Sequence, residues 1–203
     1  MIKQKICINN EFVSNFNISN ITILKDKNSE IINIDNTIYK TKIKNSGSYG
    51  DVYIMKSNND MIAIKIFDDI ADYLKEKIIS IILSNIRRKN NCSLPIVSSY
   101  WYEKNNNNLI IMECMDGNLN ELIKNKLSCK IYDIFLQVIE AVYELYNYGI
   151  YYCDIKLANI LYKLINNNIK IKLADIGGIV FTNNNKLHDL LNTQDLEKSI
   201  LLI

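Results

Sequence analysis

The sequence predicts an α+β fold: a small antiparallel sheet carrying one helix, followed by an abbreviated helical part. Three observations predict it. Short apolar runs crowd residues 39–115, two longer stretches repeat with helical spacing, and asparagine- or glycine-bearing turns separate the runs. At 203 residues the chain buries about 70% of its unfolded surface, ample for a core without disulfide or metal staples. The expected organisation is a leading extension over 1–36, a sheet-bearing part over 37–115 and a helical part over 116–203.

The elements follow in chain order. Residues 1–36 hold weak β-like runs at 21–24 and 31–34 and suggest little. Residues 39–43, 52–55 and 61–67 read as three strands, the last two joined by a turn at 57–60. Asp68 or Asp69 is placed to cap a helix in which Ile70, Leu74, Ile78, Ile82 and Ile86 recur every fourth residue. Strands at 96–102 and 109–115 complete a five-stranded sheet. Ile131, Ile134, Phe135, Val138, Ile139, Val142 and Leu145 then fall on one helical face, and Gly149 stands where a left-handed cap ends a helix. Runs at 160–162 and 169–174 bracket Asn166, Asn167 and Asn168 as a hairpin.

Composition narrows the function classes. A net charge of +2 gives neither a basic stripe nor an acidic tail, so nucleic acid is not an expected partner. Cys7, Cys92, Cys114, Cys129 and Cys153 are scattered without a C-x-x-C pair, which suits reduced thiols of a cytoplasmic protein better than disulfides or zinc. No segment has the length of a membrane span or the apolar core of a signal peptide, so no membrane partner is expected. Asn and Ile are over-used, at about 15% and 19% of residues, against ordinary usage. Their A/T-rich codons make genome composition the simplest cause, and the Asn runs then read as solvated loops.

The chemistry concentrates in a few motifs. Tyr152-Cys153-Asp154-Ile155-Lys156-Leu157-Ala158-Asn159, with Asp175-Ile176-Gly177 following, has the layout of phosphoryl transfer. Asp154 would accept or orient the proton of an attacking hydroxyl, Lys156 would neutralise the moving phosphoryl group, and Asn159 and Asp175 would offer oxygens to Mg²⁺. Earlier, Ser46-Gly47-Ser48-Tyr49-Gly50-Asp51-Val52 joins two strands. Glycines at Gly47 and Gly50 let backbone amides approach a polyphosphate, Asn45 stands where a further glycine is usual, and Val52 covers the nucleotide. Taken alone, that hairpin is also an ordinary turn.

Strand alternation sends Ala63 and Lys65 to one face and Ile62, Ile64 and Ile66 to the other, where the isoleucines would pack under the helix. Ala63 can roof an adenine while Lys65 reaches phosphate oxygens; the plainer alternative is an edge lysine snorkelling to water. Glu76, the glutamate of the following helix, would hold Lys65, unless it is a solvated surface residue. Glu113 and Met115 would offer backbone groups to the adenine edge, and Leu161 would close the pocket from below.

In these residues the chain resembles the eukaryotic-type protein kinases over about 39–178, with every motif in the family's order. The resemblance implies a two-lobed fold with ATP and Mg²⁺ in the cleft and transfer of the γ-phosphoryl group to a protein hydroxyl. Lys156, two residues after Asp154, is similar to the serine/threonine-directed kinases. The wording of 152–161 resembles the casein-kinase-like and vaccinia-related group, and the composition suits a gene of a large DNA virus. Tyr152 and Cys153 replace the family's histidine and arginine, and Cys153 removes the partner of an activation-loop phosphate. Ile176 replaces a phenylalanine. After Gly178 only a short stretch remains, in which 195–202 is read as the start of a buried helix. The alternative function is therefore a kinase-like module that binds nucleotide or docks on proteins without turnover.

Overall fold

The computed structural model describes residues 21–182 except 27–28, 48–49, 59, 91–92, 105–106 and 125–130. The tip of the glycine hairpin at 48–49, the helix expected over 195–202, and Cys7, Cys92 and Cys129 lie outside the described residues. The chain divides into two compact units. Among the described residues one takes 21–77 and 98–114, the other 78–97 and 115–182.

The first unit is built on a seven-stranded antiparallel sheet. Its strands are β1 (Ile21–Asp26), β2 (Ser29–Ile34), β3 (Thr37–Gly47), β4 (Gly50–Lys56), β5 (Met61–Ile66), β6 (Ser99–Lys104) and β7 (Asn107–Glu113), in the order β1-β2-β3-β4-β5-β7-β6. The β-like runs at 21–24 and 31–34 are thus strands of this sheet, and among the described residues that stretch belongs with the sheet-bearing part. They belong there because Ile21, Ile32 and Ile34 join Tyr39, Tyr53 and Met55 in one buried cluster.

That cluster also corrects the expected packing of the isoleucines. Ile62 and Ile64 are fully buried in it, with Leu109 and Ile111, each side chain contributing about 1.5–3 kcal/mol. The sheet closes over its own isoleucine face, so the helix does not cover them. The helix residues Tyr73 and Leu74 instead pack with Phe67, Ile110 and Met112. Ile110 and Met112 stand directly opposite Lys65 and Ala63, and opposed residues share a face.

The helix α1 (Ile70–Asn90) starts at Asp69, whose Oδ1 accepts the Ala71 N–H at 2.6 Å, satisfying one of the open donors of a first turn. Of the every-fourth-residue row, Ile82 and Ile86 are buried, Leu74 and Ile78 half-buried and only Ile70 exposed. The buried side is wider than that row, because Tyr73, Glu76, Ile79 and Leu83 are buried as well.

In the second unit, α2 (Leu119–Lys124) and α3 (Ile131–Asn147) accompany a three-stranded sheet. Its order is β11 (Asn168–Leu173), β10 (Ile160–Ile165) and β8 (Gly117–Asn118). The pair β9 (Ile150–Tyr152) and β12 (Ile179–Phe181) is separate. The β10–β11 turn falls on Asn166 and Asn167, both at positive φ, a conformation asparagine tolerates. Asn168 already belongs to the strand. Ile96 does not begin a sheet strand as expected. Leu173 donates to the Pro95 carbonyl and accepts from the Val97 N–H, both at 2.9 Å, and that pairing commits 95–97 to the edge of β11, while β6 starts at Ser99.

Gly149, at φ +73°, ends α3. The predicted apolar face of that helix is buried only in part. Ile134 and Leu145 are buried with Ala141, whereas Ile131, Phe135 and Ile139 are exposed. The apolar arc is wider than the strands beside it can cover.

Among the described positions Gly50 is the backbone's least replaceable glycine. It lies at φ +132°, and an added Cβ would stand 2.2 Å from the Ile66 carbonyl oxygen. Gly50→Ala should therefore lower stability by about 1–3 kcal/mol, read as a fall in the urea midpoint; an unchanged midpoint would contradict this geometry.

Candidate functional site

The candidate residues separate by unit. Asn45, Gly47, Gly50, Val52, Ala63, Lys65, Glu76 and Glu113 lie in the sheet-bearing unit, and Met115, Asp154, Lys156, Asn159, Leu161 and Asp175 in the other.

In the first, β3 and β4 pair Asn45 with Val52 and Gly47 with Gly50. Asn45 is an exposed residue of a regular strand, so the positive φ that a glycine there would serve is not used. Below the turn, Lys44 Nζ lies 2.6 Å from Asp51 Oδ2 and 5.2 Å from the Tyr53 ring centroid. The Tyr53 hydroxyl also donates to Asp51 Oδ2 at 3.1 Å. The bond from Lys44 holds the Asp51 carboxyl below the usual carboxylate range. Val52 stands opposite Lys65, and Ile54 opposite Ala63, so Val52, Ala63 and Lys65 share a face.

Lys65 is buried, and its amine donates to Glu76 Oε1. Glu76 is buried too, which excludes the solvated alternative. Both charges being out of water, each depends on the other. Lys65 Nζ also stands 4.9 Å from the centroid of the Phe67 ring.

Of the backbone groups Glu113 was expected to offer, its amide is engaged within the chain. Its N–H donates to the Ser98 carbonyl at 3.1 Å, and its Oε1 accepts the Ser98 N–H at 2.7 Å. Its amide is therefore already engaged with the chain, because Ser98 precedes β6 directly and forms a two-bond link with the end of β7.

The other unit gathers the acid, lysine and asparagine of the 152–159 segment. Asp154 Oδ2 accepts from Lys156 Nζ and from Asn159 Nδ2, both at 2.7 Å, and Asn159 Nδ2 also reaches the Asp154 carbonyl at 3.2 Å. A short 3-10 turn over Leu157–Asn159 makes this possible by folding residue 159 back toward 154. Asn159 is buried, while Asp154 and Lys156 are substantially exposed. The Lys156 bond, ahead of the other contributions, lowers the Asp154 carboxyl below its ordinary range.

Asp175 is tied to the same cluster through the backbone. The Ala174 N–H donates to the Asn159 carbonyl at 2.8 Å, and the Tyr152 hydroxyl donates to the Ala174 carbonyl. Asp175 itself is left-handed, at φ 55° and ψ 71°, a conformation aspartate tolerates better than most residues and one that concentrates at functional sites. Its Oδ1 is buried. Leu161 sits on β10 between Asn118 and Lys172, half-exposed, as is Met115.

Two residues of this arrangement were not singled out by the sequence. Tyr152 had been noted as a replacement, yet it is the side chain that links the Asp154 segment to the residue before Asp175. Its phenol is pushed well above its ordinary pKa, first by burial and then by the charges of Asp175 and Asp154. Gly178 packs so closely that an added Cβ would lie 2.8 Å from Asp154 Cβ, and its carbonyl accepts the Cys153 N–H at 3.1 Å. The Gly177-Gly178 pair was the available signal.

Asn159 and Asp175 offer a carbonyl oxygen and a carboxylate, the hard donors Mg²⁺ prefers. No group of three or more His, Cys, Asp or Glu side chains with metal-ligand spacing occurs among the described residues. A two-donor set fits a cation whose coordination is completed by phosphate oxygens and water.

The model of the protein kinase domain matches residues 41–196. Over 104 residues the chain is 32% identical to Serine/threonine-protein kinase RUNKEL of Arabidopsis thaliana. That match takes in 47% of this chain and 7% of the relative's length.

Two outcomes test the geometry. Lys65→Met should cost about 3–5 kcal/mol by stranding Glu76 in the interior, and Lys65→Met with Glu76→Leu should recover most of it; equal urea midpoints for the wild type and the single variant would refute the pairing. The Asp154 carboxyl should titrate below its ordinary value of 3.8. Because the folded-state pKa is lowered, its contribution to stability is present above the ordinary value and lost as pH falls through the lowered one. Lys156→Met should move that titration upward in a carboxyl ¹³C NMR experiment, and an unmoved curve would show that Lys156 is not its cause.

Proposed function

Since this chain belongs to the protein kinase domain family, we propose that it transfers the γ-phosphoryl group of ATP, with Mg²⁺, to serine or threonine hydroxyls of protein substrates. The observation that carries the reading is the saturation of one Asp154 oxygen. Lys156 and Asn159 both donate to Oδ2, which restrains the carboxylate and leaves Oδ1 for an incoming hydroxyl.

In this reading Asp154 orients the hydroxyl and takes its proton as the hydroxyl oxygen bonds to the γ-phosphorus. The bond from that phosphorus to the bridging oxygen breaks, and ADP leaves with the electron pair. Asp154, like any carboxyl at or below its ordinary range, is ionised at neutral pH, as a proton acceptor must be. Lys156, on a mobile stem with its amine exposed, can shift from the carboxylate to the phosphoryl oxygens as charge builds there. With Nδ2 committed to Asp154, the Asn159 carbonyl oxygen is the atom left to face a cation, and Asp175 provides the carboxylate. Bound Mg²⁺ would supply charge neutralisation of the phosphates. Lys65, held by Glu76, is the phosphate-facing cation of the sheet-bearing unit. The serine/threonine preference is supported by Lys156 and by the name of the matched relative. The wording of 152–161 supports placement near the casein-kinase-like and vaccinia-related kinases, including those of viruses, and the scattered cysteines support a cytoplasmic setting.

The test is Mg²⁺-dependent transfer of labelled γ-phosphate from ATP to a generic acceptor protein or to the chain itself. Turnover of about 1–100 s⁻¹ is ordinary for the class. Asp154→Ala should lower it by about 10²–10⁴-fold, and Asp175→Ala should abolish the Mg²⁺-dependent transfer. A purified, folded chain that transfers nothing would overturn the proposal, even if Mg·ATP raised its melting temperature, because that result describes a binding module.

A further inference from the structure

The first strand of the glycine hairpin is held along one edge only where it nears the turn. Among the described residues β2 pairs with β3 over Thr37–Lys40 and no further. Past the irregularity between Thr41 and Ile43, the strand paired with β3 is β4 alone. Burial does not anchor this stretch either, because Ile43, Lys44, Asn45 and Ser46 are all exposed. On the other side of the hairpin β4 is fixed. It pairs with β5 from Asp51 opposite Ile66 to Lys56 opposite Met61, and Tyr53 is buried in the apolar core of the sheet. A strand with one free edge, exposed hydrogen bonds and few apolar contacts is where local opening costs least.

Side chains supply what the backbone there lacks. Lys44 stands directly opposite Tyr53, and Ser46 opposite Asp51, so all four share the face that carries the core. Asp51 Oδ2 meets the Lys44 amine at 2.6 Å and accepts from the Tyr53 hydroxyl at 3.1 Å, and the Ser46 side chain bonds the same carboxyl. The Lys44 amine also stands 5.2 Å from the centre of the buried Tyr53 ring, within cation–π range. One carboxylate thus ties two residues of the free strand to the fixed one, next to Gly47 and Gly50. Alternation turns Asp51 away from the face of Val52, Ala63 and Lys65, so it is no ligand of a nucleotide held there. An exposed ion pair is too weak to decide the stability of the whole unit. It is comparable with the cost of opening one strand held on one edge, and there it sets the closed fraction.

We infer that Lys44, Asp51 and Tyr53 form a clasp that positions the glycine hairpin for a polyphosphate, holding residues 43–47 against β4 so that the two strands stay closed below the turn. The three act as positioning residues. This role rests on the proposed use of ATP, and it governs affinity for the nucleotide rather than proton transfer at Asp154. The sign of one substitution separates the clasp from simple electrostatics. Asp51→Ala removes a negative charge near the site of a polyanion, so charge alone predicts tighter binding. Loss of the clasp predicts weaker binding, because only the closed fraction binds.

The experiment measures the affinity of the full chain for a fluorescent ATP analogue with Mg²⁺, together with amide hydrogen exchange over residues 43–47. Asp51→Ala and Lys44→Met should each weaken binding by about three- to fivefold and speed exchange in that stretch, with the urea midpoint little moved. The reversed pair, Lys44→Asp with Asp51→Lys, keeps the net charge and turns the bond around, and it should restore both readouts. Tighter binding by Asp51→Ala, a reversed pair no better than the single variants, or unchanged exchange overturns the clasp while leaving ATP as the ligand. A folded wild-type chain that does not bind the analogue overturns the use of ATP and the clasp's role together.

Discussion

A half-exposed carboxylate with two donors on one oxygen holds its direction only if the backbone on either side of it is fixed. In this chain Asp154 is in that position, and the surrounding unit is arranged to fix it. The strand β9 before it pairs with β12, the 3-10 turn after it returns Asn159 to its side, and the Ala174 N–H ties Asn159 to the strand that ends at Asp175. The hydrogen bonds are individually modest, each about 1 kcal/mol net. Their value is geometric: a donor displaced by an ångström no longer fixes the plane of the carboxylate. Gly178 belongs to the same constraint, because any side chain there would meet the Cβ of Asp154.

The sheet-bearing unit solves a different problem with similar means. A lysine and a glutamate are buried together there, which is tolerable only when both find partners. The sheet achieves this by separating its faces. One face closes on its own isoleucines and tyrosines, a core that asks nothing of the helix. The other is left to Ala63, Lys65 and Val52, with Tyr73 and Leu74 of α1 beside them, so that Glu76 on the same helix reaches the amine. The positions of the polar pair and of the apolar core are thus consequences of a single strand alternation.

Much of this was legible in the sequence, and what was not has identifiable causes. The strands β3, β4, β5 and β7, both long helices and the β10–β11 hairpin follow from periodicity and turn residues, because in each the local preference and the tertiary environment agree. The strands β1 and β2 were weak because their polar interruptions are as strong as their apolar pattern. Only the curl of the sheet shows why Ile21 and Ile32 are needed inside. The isoleucine row of α1 marked part of the buried side, but Tyr73, Glu76 and Leu83, buried beside it, fall outside a four-residue spacing. At the candidate site, the grouping of Asp154, Asn159 and Asp175 in one unit was legible from spacing. The double use of Asp154 Oδ2, the engagement of the Glu113 amide by Ser98 and the bridging hydroxyl of Tyr152 were not, since each is a fact about which atoms meet.

Tyr152 also gives the chain an unusual relation to acidity. An imidazole at this junction would gain or lose a proton within a unit or so of neutral pH, and the hydrogen bond to the carbonyl before Asp175 would change character with it. A phenol whose proton is held more tightly by burial and by two neighbouring carboxylates remains a donor across the whole range in which proteins work. The junction between the two acidic segments is therefore insulated from swings in cellular pH, and a shift from cytosolic to mildly acidic surroundings would leave its hydrogen-bond pattern as it was.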